Sequence, residues 1–403
     1  MATRASTARA VGARPVSVRK TAGATAQPAV LLAASVTTLV LLGLVMILSA
    51  SSVSAFAEYG SSFVFFKKQL VWALVGLGGL LFFSNLDYRK LRGIGYAAFV
   101  VTALFLIAVL IPGLGMTVGG SSRWIPIGPL AFQPSEFAKL ALILFGAEIF
   151  ARKDERKLQV FSHTALPMVP ALGLLALLVM AQPDLGTTVL LGAIGFSMMM
   201  VAGAPARFLV PLGMAAGVLA GVAAFGESYR RARVLAFLDP WADPLNTGYH
   251  TIQSLIALGS GGWLGVGLGA SRQKWTYVPN AHTDFIYAIL GEEMGLLGTS
   301  VVLGLFGLIA YLGIRIARQA PDRFGMLIAA GITAWIGVQA LVNMGAVTAS
   351  MPITGVPLPF VSFGGSSLVI TLAATGILIN IGRNGGARAE GTAGKRKSST
   401  PSR

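Results

Sequence analysis

Ten apolar runs recur along this chain, at residues 29–50, 69–83, 95–113, 135–151, 164–181, 185–203, 208–225, 285–314, 324–349 and 358–382. A hydrocarbon layer roughly 30 Å thick takes about 20 helical residues to cross, and most of the runs approach or exceed that length. The pattern predicts an all-α polytopic membrane protein of about ten transmembrane helices. Only Gln182-Pro183-Asp184 separates the fifth run from the sixth, and Ala204-Pro205-Ala206-Arg207 the sixth from the seventh, so these spans must be antiparallel neighbours. The run at 29–50 exceeds the apolar core of a cleaved leader, about 7–15 residues, and reads as a span. Between the seventh and eighth spans lies a long connection, 226–284. Long connections with structure of their own are usually functional. Within it, His250–Leu258 has the pattern of a short amphipathic helix, and the glycine-rich 259–269 has no long polar surface and is expected to dip back toward the membrane.

Composition supports this reading. Of 403 residues 55% are hydrophobic and only 11% charged, against about 25% charged in soluble domains. The 50 glycines suit close helix packing in a bilayer. There is no cysteine, which excludes disulfide and thiolate chemistry, and the three histidines (His163, His250, His282) are too few for a histidine-built metal site. The formal charge of +16 does not indicate nucleic-acid binding, because the basic residues are divided among loops. With the N-terminus placed inside, the segments 1–28, 84–94, 152–163, 204–207, 315–323 and 383–403 carry 22 of the 31 Lys and Arg. That bias predicts cytoplasmic N- and C-termini. Residues 1–28 and 384–403 read as disordered basic tails around a membrane domain at 29–383.

Charges near the bilayer are costly and mark function or a partner. Asp284 stands where the long outer loop meets the eighth span; its bland role is a helix-dipole acid, with His282 and Thr283 as caps. Arg123 lies in Ser121-Ser-Arg-Trp-Ile-Pro on the same side. Glu136 and Lys139, three apart on one helix face, follow Pro134 and the expected N-cap Ser135, and their bland role is an internal ion pair. Asp184 has the position of a cap for the sixth span. Glu292 and Glu293 lie about two turns beyond Asp284 and point different ways on an ideal helix. Asn343, and Ser362, Gly364, Gly365 and Ser366 near the start of the tenth span, suit a broken or closely packed helix beside a cavity.

Taken in order, Gln133-Pro-Ser-Glu-Phe-Ala-Lys, Gln182-Pro-Asp-Leu-Gly-Thr, the block from Gly248-Tyr-His-Thr-Ile-Gln-Ser to Ala281-His-Thr-Asp-Phe-Ile, and Pro359-Phe-Val-Ser-Phe-Gly-Gly-Ser-Ser resemble the SEDS family (FtsW, RodA, SpoVE), more closely its FtsW/SpoVE branch. The resemblance covers about 29–383. It implies a peptidoglycan glycosyltransferase that polymerises lipid II (the undecaprenyl-pyrophosphate-linked disaccharide peptide), acting at the division septum with a class B penicillin-binding transpeptidase and other divisome membrane proteins. It also implies that Asp284 is the family's essential loop aspartate and that Arg123, Glu136, Lys139 and Asp184 match recurrent polar positions.

The reaction joins a sugar hydroxyl to an anomeric carbon that bears a lipid pyrophosphate. A pyrophosphate leaves without being protonated, so the site needs one base and positive charge rather than the carboxyl pair of a glycosidase. Asp284 is the expected base. Arg123, Lys139, Arg272 and Lys274 are the expected phosphate charges, His282 and Thr283 are further substrate candidates, and a divalent cation (Mg or Mn) is an open addition. A lipid II flippase, a RodA-type elongation polymerase and a non-enzymatic scaffold that activates a transpeptidase are the alternatives; clustering of charge at the outer side favours polymerisation over flipping.

Overall fold

The computed structural model describes residues 22–397, apart from 119, 120, 128, 129, 276, 279 and 280. Among these, ten helices have membrane-spanning length: α1 (Ala22–Tyr59), α2 (Val64–Asn85), α3 (Ile94–Leu110), α4 (Pro134–Ala151), α6 (Phe161–Met180), α7 (Leu185–Ala202), α8 (Ala206–Gly226), α11 (Ile286–Gln319), α12 (Arg323–Val347) and α13 (Gly365–Lys397). Shorter helices α5 (Glu155–Leu158), α9 (Ser228–Leu238) and α10 (Tyr249–Ser260) lie in connections. Eight of the ten are apolar enough to be spans on length and composition alone. Of the other two, α3 has 17 residues and α4 carries Glu136, Lys139 and Glu148. Residues 1–21 of the expected N-terminal tail lie outside the described residues, while α13 continues to Lys397 through 387–390, whose Ala, Arg and Glu favour helix.

Local chemistry sets the ends. Pro134 occupies the first turn of α4, where its missing N–H costs nothing. The Asp184 side chain caps α7 by accepting from Thr187 N, and Asp322 caps α12 through Gly325 N. The tenth helix starts at Gly365, not at 358. Pro357 and Pro359 lack backbone donors, Phe360 has a φ of 65°, and 352–364 runs as irregular chain. Another departure is a three-stranded antiparallel sheet between α3 and α4. Its order is β1 (Met116–Val118), β2 (Ser121–Ile127), β3 (Leu130–Phe132), with Met116 opposite Trp124 and Ile125 opposite Phe132.

Helices α4, α7, α12 and α13 pack at the centre, with α2 along α13 and α11 along α12. Helix α8 lies at the margin, with Val210, Met214, Val218 and Val222 exposed. The sheet, α9, α10 and chain 352–364 gather at one end of the bundle. At the opposite end Tyr88, in a 3-10 turn, joins α2, α12 and α13: its hydroxyl donates to Asp322 Oδ2 at 2.9 Å and its N–H to Asn380 Oδ1 at 3.1 Å.

The glycine-rich chain does return into the bundle, through a break in α11. Gly295 has φ 65° and ψ −165°, which interrupts the helix. The freed backbone groups pair with the loop: Leu296 N to Gly262 O at 2.9 Å, Leu297 N to Trp263 O at 3.1 Å, Val266 N to Glu292 O at 2.9 Å and Gly267 N to Glu293 O at 3.1 Å. Broken helix is tolerated at membrane depth only where protein satisfies it in this way. Both acids hold the same loop. Glu292 accepts from Ser271 Oγ, Arg272 N and Gln273 N; Glu293 accepts from Ser49 Oγ and Ser271 N and lies 3.7 Å from Lys274 Nζ. The divergence expected of an ideal helix is thus corrected, because the loop wraps around to meet both carboxylates.

A Cβ on residue 295 would lie 2.4 Å from Gly265 N and 2.6 Å from Trp263 C, backbone atoms that cannot swing away. Gly295→Ala is expected to destabilise the protein by about 2 kcal/mol or more through left-handed backbone strain and loop displacement. A thermal melt in detergent checks this, and an unchanged midpoint would contradict it.

Candidate functional site

The segment entering α11 is held by its peptide oxygens. His282 O accepts from Phe363 N at 2.9 Å, Thr283 O from Ser362 Oγ at 2.7 Å, and Asp284 O from Asn343 Nδ2 at 2.8 Å. Rings grip its two ends. His282 packs against Phe65 with centroids 4.6 Å apart and the rings tilted by 35°, and His250 stacks on Phe285 at 5.8 Å. His282 and Thr283 are therefore not helix caps; the cap position falls to Phe285, which makes no side-chain cap bond. Asp284 precedes that position and lies outside the helix. Among the described residues no hydrogen bond reaches its half-buried carboxylate.

Burial pushes the Asp284 carboxyl up to about 6, against the attraction of Arg233 and Arg123 and with a smaller contribution from Asp184. Burial wins because Arg233 is exposed and Arg123 partly so, and exposed charge is screened. Arg233 was not singled out from the sequence. It lies on α9, where the run Ser228-Tyr-Arg-Arg-Ala-Arg is a basic helix hidden inside a connection read as one loop. Tyr229 ties α9 to the site: its hydroxyl donates to Pro183 O at 3.4 Å and accepts from Arg230 Nε at 2.9 Å, and the Arg233 guanidinium sits 5.9 Å from its ring.

Arg123 extends from β2 to the α6–α7 turn. Its Nε donates to Gln182 O at 3.0 Å and its Nη2 to Pro183 O at 2.6 Å, and Nη1 lies 3.9 Å from Asp184 Oδ2. Two of its five N–H donors serve the turn, which leaves three for a ligand. Both oxygens of Asp184 accept from Thr187, one from its N–H and one from its hydroxyl. Asp184 is thus a capping residue.

Two of the expected phosphate charges are placed elsewhere. Lys139 is fully buried, with Nζ 2.8 Å from Glu136 Oε1 and 2.9 Å from Gln339 Oε1, above the Trp335 ring. Lys274 is buried between Gly269 O, Ser49 and Glu293. A charge buried at these depths is retained only when paired, and both amines are spent on that pairing. Arg272 stays exposed, with its backbone N–H bound to Glu292. Ser135 is not the cap of α4. The cap position is Gln133, and Ser135 Oγ accepts from Gln133 Nε2 at 3.1 Å.

The remaining candidates form a second layer. Asn343 Nδ2 donates to Val356 O as well as to Asp284 O, each at 2.8 Å. Gln339 Nε2 donates to Pro357 O at 2.9 Å, so the Glu136–Lys139 pair supports the same chain that Asn343 holds. Ser362 Oγ accepts from Leu358 N at 2.8 Å, Gly364 N donates to Gln69 Oε1 at 3.3 Å, and Ser366 Oγ accepts from Gln133 N at 3.4 Å. Gly365 lies under Trp72, where a Cβ would sit 2.1 Å from Nε1. Among the described residues no three His, Asp or Glu side chains converge, and Asp284 is the acid of the site that keeps both oxygens uncommitted.

The fold and site define a polytopic membrane protein that holds a carboxylate, free of hydrogen bonds among the described residues and under the influence of two arginines, at one end of a helical bundle. The family profile described as "Cell cycle protein" (FtsW, RodA, SpoVE) matches residues 29–386, and the chain belongs to that family. It is 42% identical over 339 residues to the probable peptidoglycan glycosyltransferase FtsW of Geobacter sulfurreducens, covering 84% of this chain and 91% of that one. It is 43% identical over 353 residues to the stage V sporulation protein E of Bacillus subtilis, covering 86% and 94%. Among solved structures it is similar to a chain in a study of polymerization and crosslinking by a peptidoglycan synthase complex (TM-score 0.71, 34% identity, 88% and 97% covered). It is also similar to Thermus thermophilus RodA (TM-score 0.64, 29% identity, 88% and 96% covered).

Removing one partner of a buried pair strands the other, at about 3–5 kcal/mol. Lys139→Ala is expected to lose that much stability, and Glu136→Gln combined with Lys139→Met to lose markedly less. Thermal unfolding of the two variants checks this; equal losses would exclude a pairing role.

Proposed function

We propose that this chain is a membrane peptidoglycan glycosyltransferase that polymerises lipid II, and that Asp284 is its base. The observation that carries this reading is the Asp284 carboxylate, fixed by its backbone, free of hydrogen bonds among the described residues, and acted on by Arg233 and Arg123. The carboxylate accepts the proton of an acceptor sugar hydroxyl. The hydroxyl oxygen bonds to the anomeric carbon of the donor as the bond to the lipid pyrophosphate breaks, and the pyrophosphate departs with the electron pair. Arg123 and Arg233 balance the charge that develops on it. Asp184 is occupied by Thr187, so a divalent cation would have one protein carboxylate, a donor set that fits an ion held mainly by substrate phosphates; it would add positive charge there.

The sequence segments read as inner carry 22 of the 31 Lys and Arg, which supports cytoplasmic termini and an extracytoplasmic site. Names of the relatives support septal synthesis, and the synthase complex supports a crosslinking partner, here a class B penicillin-binding transpeptidase within a set of divisome membrane proteins. A fluorescent fusion that fails to concentrate at midcell would exclude the septal role.

Asp284→Asn is expected to lower lipid II polymerisation by the purified chain with its partner about 100-fold or more, while leaving the fold intact. Retained activity would remove the mechanism. Arg233→Ala is expected to lower kcat/KM about tenfold, the scale of one charged hydrogen bond.

The Asp284 carboxyl is protonated below about 6 and ionised above it. The rate should therefore rise with pH through that value and then level off, a limb that Asp284→Asn abolishes. A pH–rate profile with no inflection between pH 5 and 7 would contradict the assignment.

A further inference from the structure

At the end of the bundle opposite Asp284 lies a cleft of about 700 Å³ between two turns: the α7–α8 turn at Val201, Ala202 and Gly203, and the α11–α12 turn from Ala317 to Met326. Gln159 closes its third side. Gln159 Nε2 donates to Gly203 O at 3.3 Å and Gln159 O accepts from Arg207 Nη2 at 2.9 Å, so this wall is fixed to the α7–α8 turn.

The lining is half apolar, from Val201, Ala202, Ala317 and Met326, and otherwise dominated by two arginines. Its acid, Asp322, is already committed: it accepts from Tyr88 and Gly325 and lies 3.5 Å from Arg89 and 3.9 Å from Arg92. Arg318 and Arg323 have no carboxylate within ion-pair distance among the described residues. Arg323 Nη2 donates to Ala202 O at 2.7 Å, while its Nε is buried without any partner. Arg323 Nη1 makes no hydrogen bond among the described residues and is not buried, so it is the donor that Arg323 offers to a phosphate oxygen in the cleft. The neighbouring cavity of about 250 Å³ lacks this surplus, because Glu148 there pairs with Arg152.

We infer that this cleft binds the phosphate of an anionic phospholipid headgroup, with Arg318 and Arg323 as its ligands and the apolar wall against the glycerol and first acyl carbons. The position selects a lipid over a soluble anion. The cleft lies where four spanning helices end, at the depth of headgroups, and guanidinium forks match phosphate oxygens in pairs. This site does not depend on the chemistry at Asp284.

Full-length protein purified in neutral detergent is titrated with phosphatidylglycerol, and its melting midpoint is followed. A saturable rise is expected with phosphatidylglycerol and none with phosphatidylcholine or inorganic phosphate. Arg318→Ala should raise the half-saturating lipid concentration about fivefold, the effect of one basic residue near a lipid phosphate, and polymerisation in detergent should be unchanged. Arg323→Lys keeps a donor for Ala202 but loses the fork, and should weaken binding while the lipid-free midpoint stays near that of the parent. Arg318 also lies in the last turn of α11, where a cation favours the helix dipole. If that were its whole role, Arg318→Ala would lower the lipid-free midpoint and leave half-saturation unchanged, which would overturn the proposal. Equal responses to the two lipids, saturation by inorganic phosphate alone, or a saturable rise with polyglutamate and none with phosphatidylglycerol would each overturn it too; the last would indicate an acidic protein segment instead.

Discussion

Three consecutive carbonyls, of His282, Thr283 and Asp284, accept hydrogen bonds from Phe363, Ser362 and Asn343, and the site depends on that clamp. Each donor comes from chain that is itself held. Asn343 belongs to α12. Ser362 and Phe363 belong to the irregular segment before α13, fastened by Gln339 through Pro357 and by Gln69 through Gly364 and Ser362. The result is that the side chain proposed as the base is carried on non-helical backbone held by three hydrogen bonds. Because the clamp takes only the peptide oxygens of 282–284, it leaves the carboxylate free to take a proton.

The same logic explains the buried charges. Intramembrane acids and bases suggest chemistry, but most of those here hold chain. Glu292 and Glu293 receive the 271–274 loop, Lys139 joins α4 to α12 through Gln339, and Asp184 and Asp322 close helix N-termini. Pairing or hydrogen bonding offsets the cost of burying each of them. Asp284 differs by lacking such a bond. What singles out Asp284 is a half-buried charge whose hydrogen-bonding capacity remains unspent.

The spans were legible because a bilayer imposes a length and a hydropathy that single residues cannot hide. The Asp184 cap, the Glu136–Lys139 pair and helix α10 could also be read, since each is a relation within a few residues. What escaped was long-range. The break at Gly295 leaves no local mark, because glycine is common in these helices and the loop that fills the break comes from 261–267. Lys139 and Lys274 read as phosphate ligands on side and sequence alone. Their burial is set by Gln339, 200 positions away, and by Glu293 on the next helix. Arg233 was missed because α9 is one short helix inside a long connection, and its approach to Asp284 requires Tyr229 to dock on the α6–α7 turn. The small sheet escaped because its strands are short, two of them of three residues each.

The electrostatic balance at Asp284 bears on how binding and chemistry are coupled. In the free protein, burial raises the carboxyl and the two arginines pull it back. A lipid pyrophosphate arriving between Arg123 and Arg233 would occupy those guanidinium groups and bring negative charge of its own, so the downward pull on Asp284 would weaken. Exclusion of water by the bound sugar would add to burial. Both changes raise the proton affinity of the carboxylate when the acceptor hydroxyl is in place, and a stronger proton acceptor is what the transition state requires. A carboxylate locked into an ion pair could not respond in this way. Arginines that act at a distance and through solvent would leave Asp284 ionised before substrate arrives and more basic afterwards, so on the proposed mechanism the absence of a direct salt bridge would serve the chemistry.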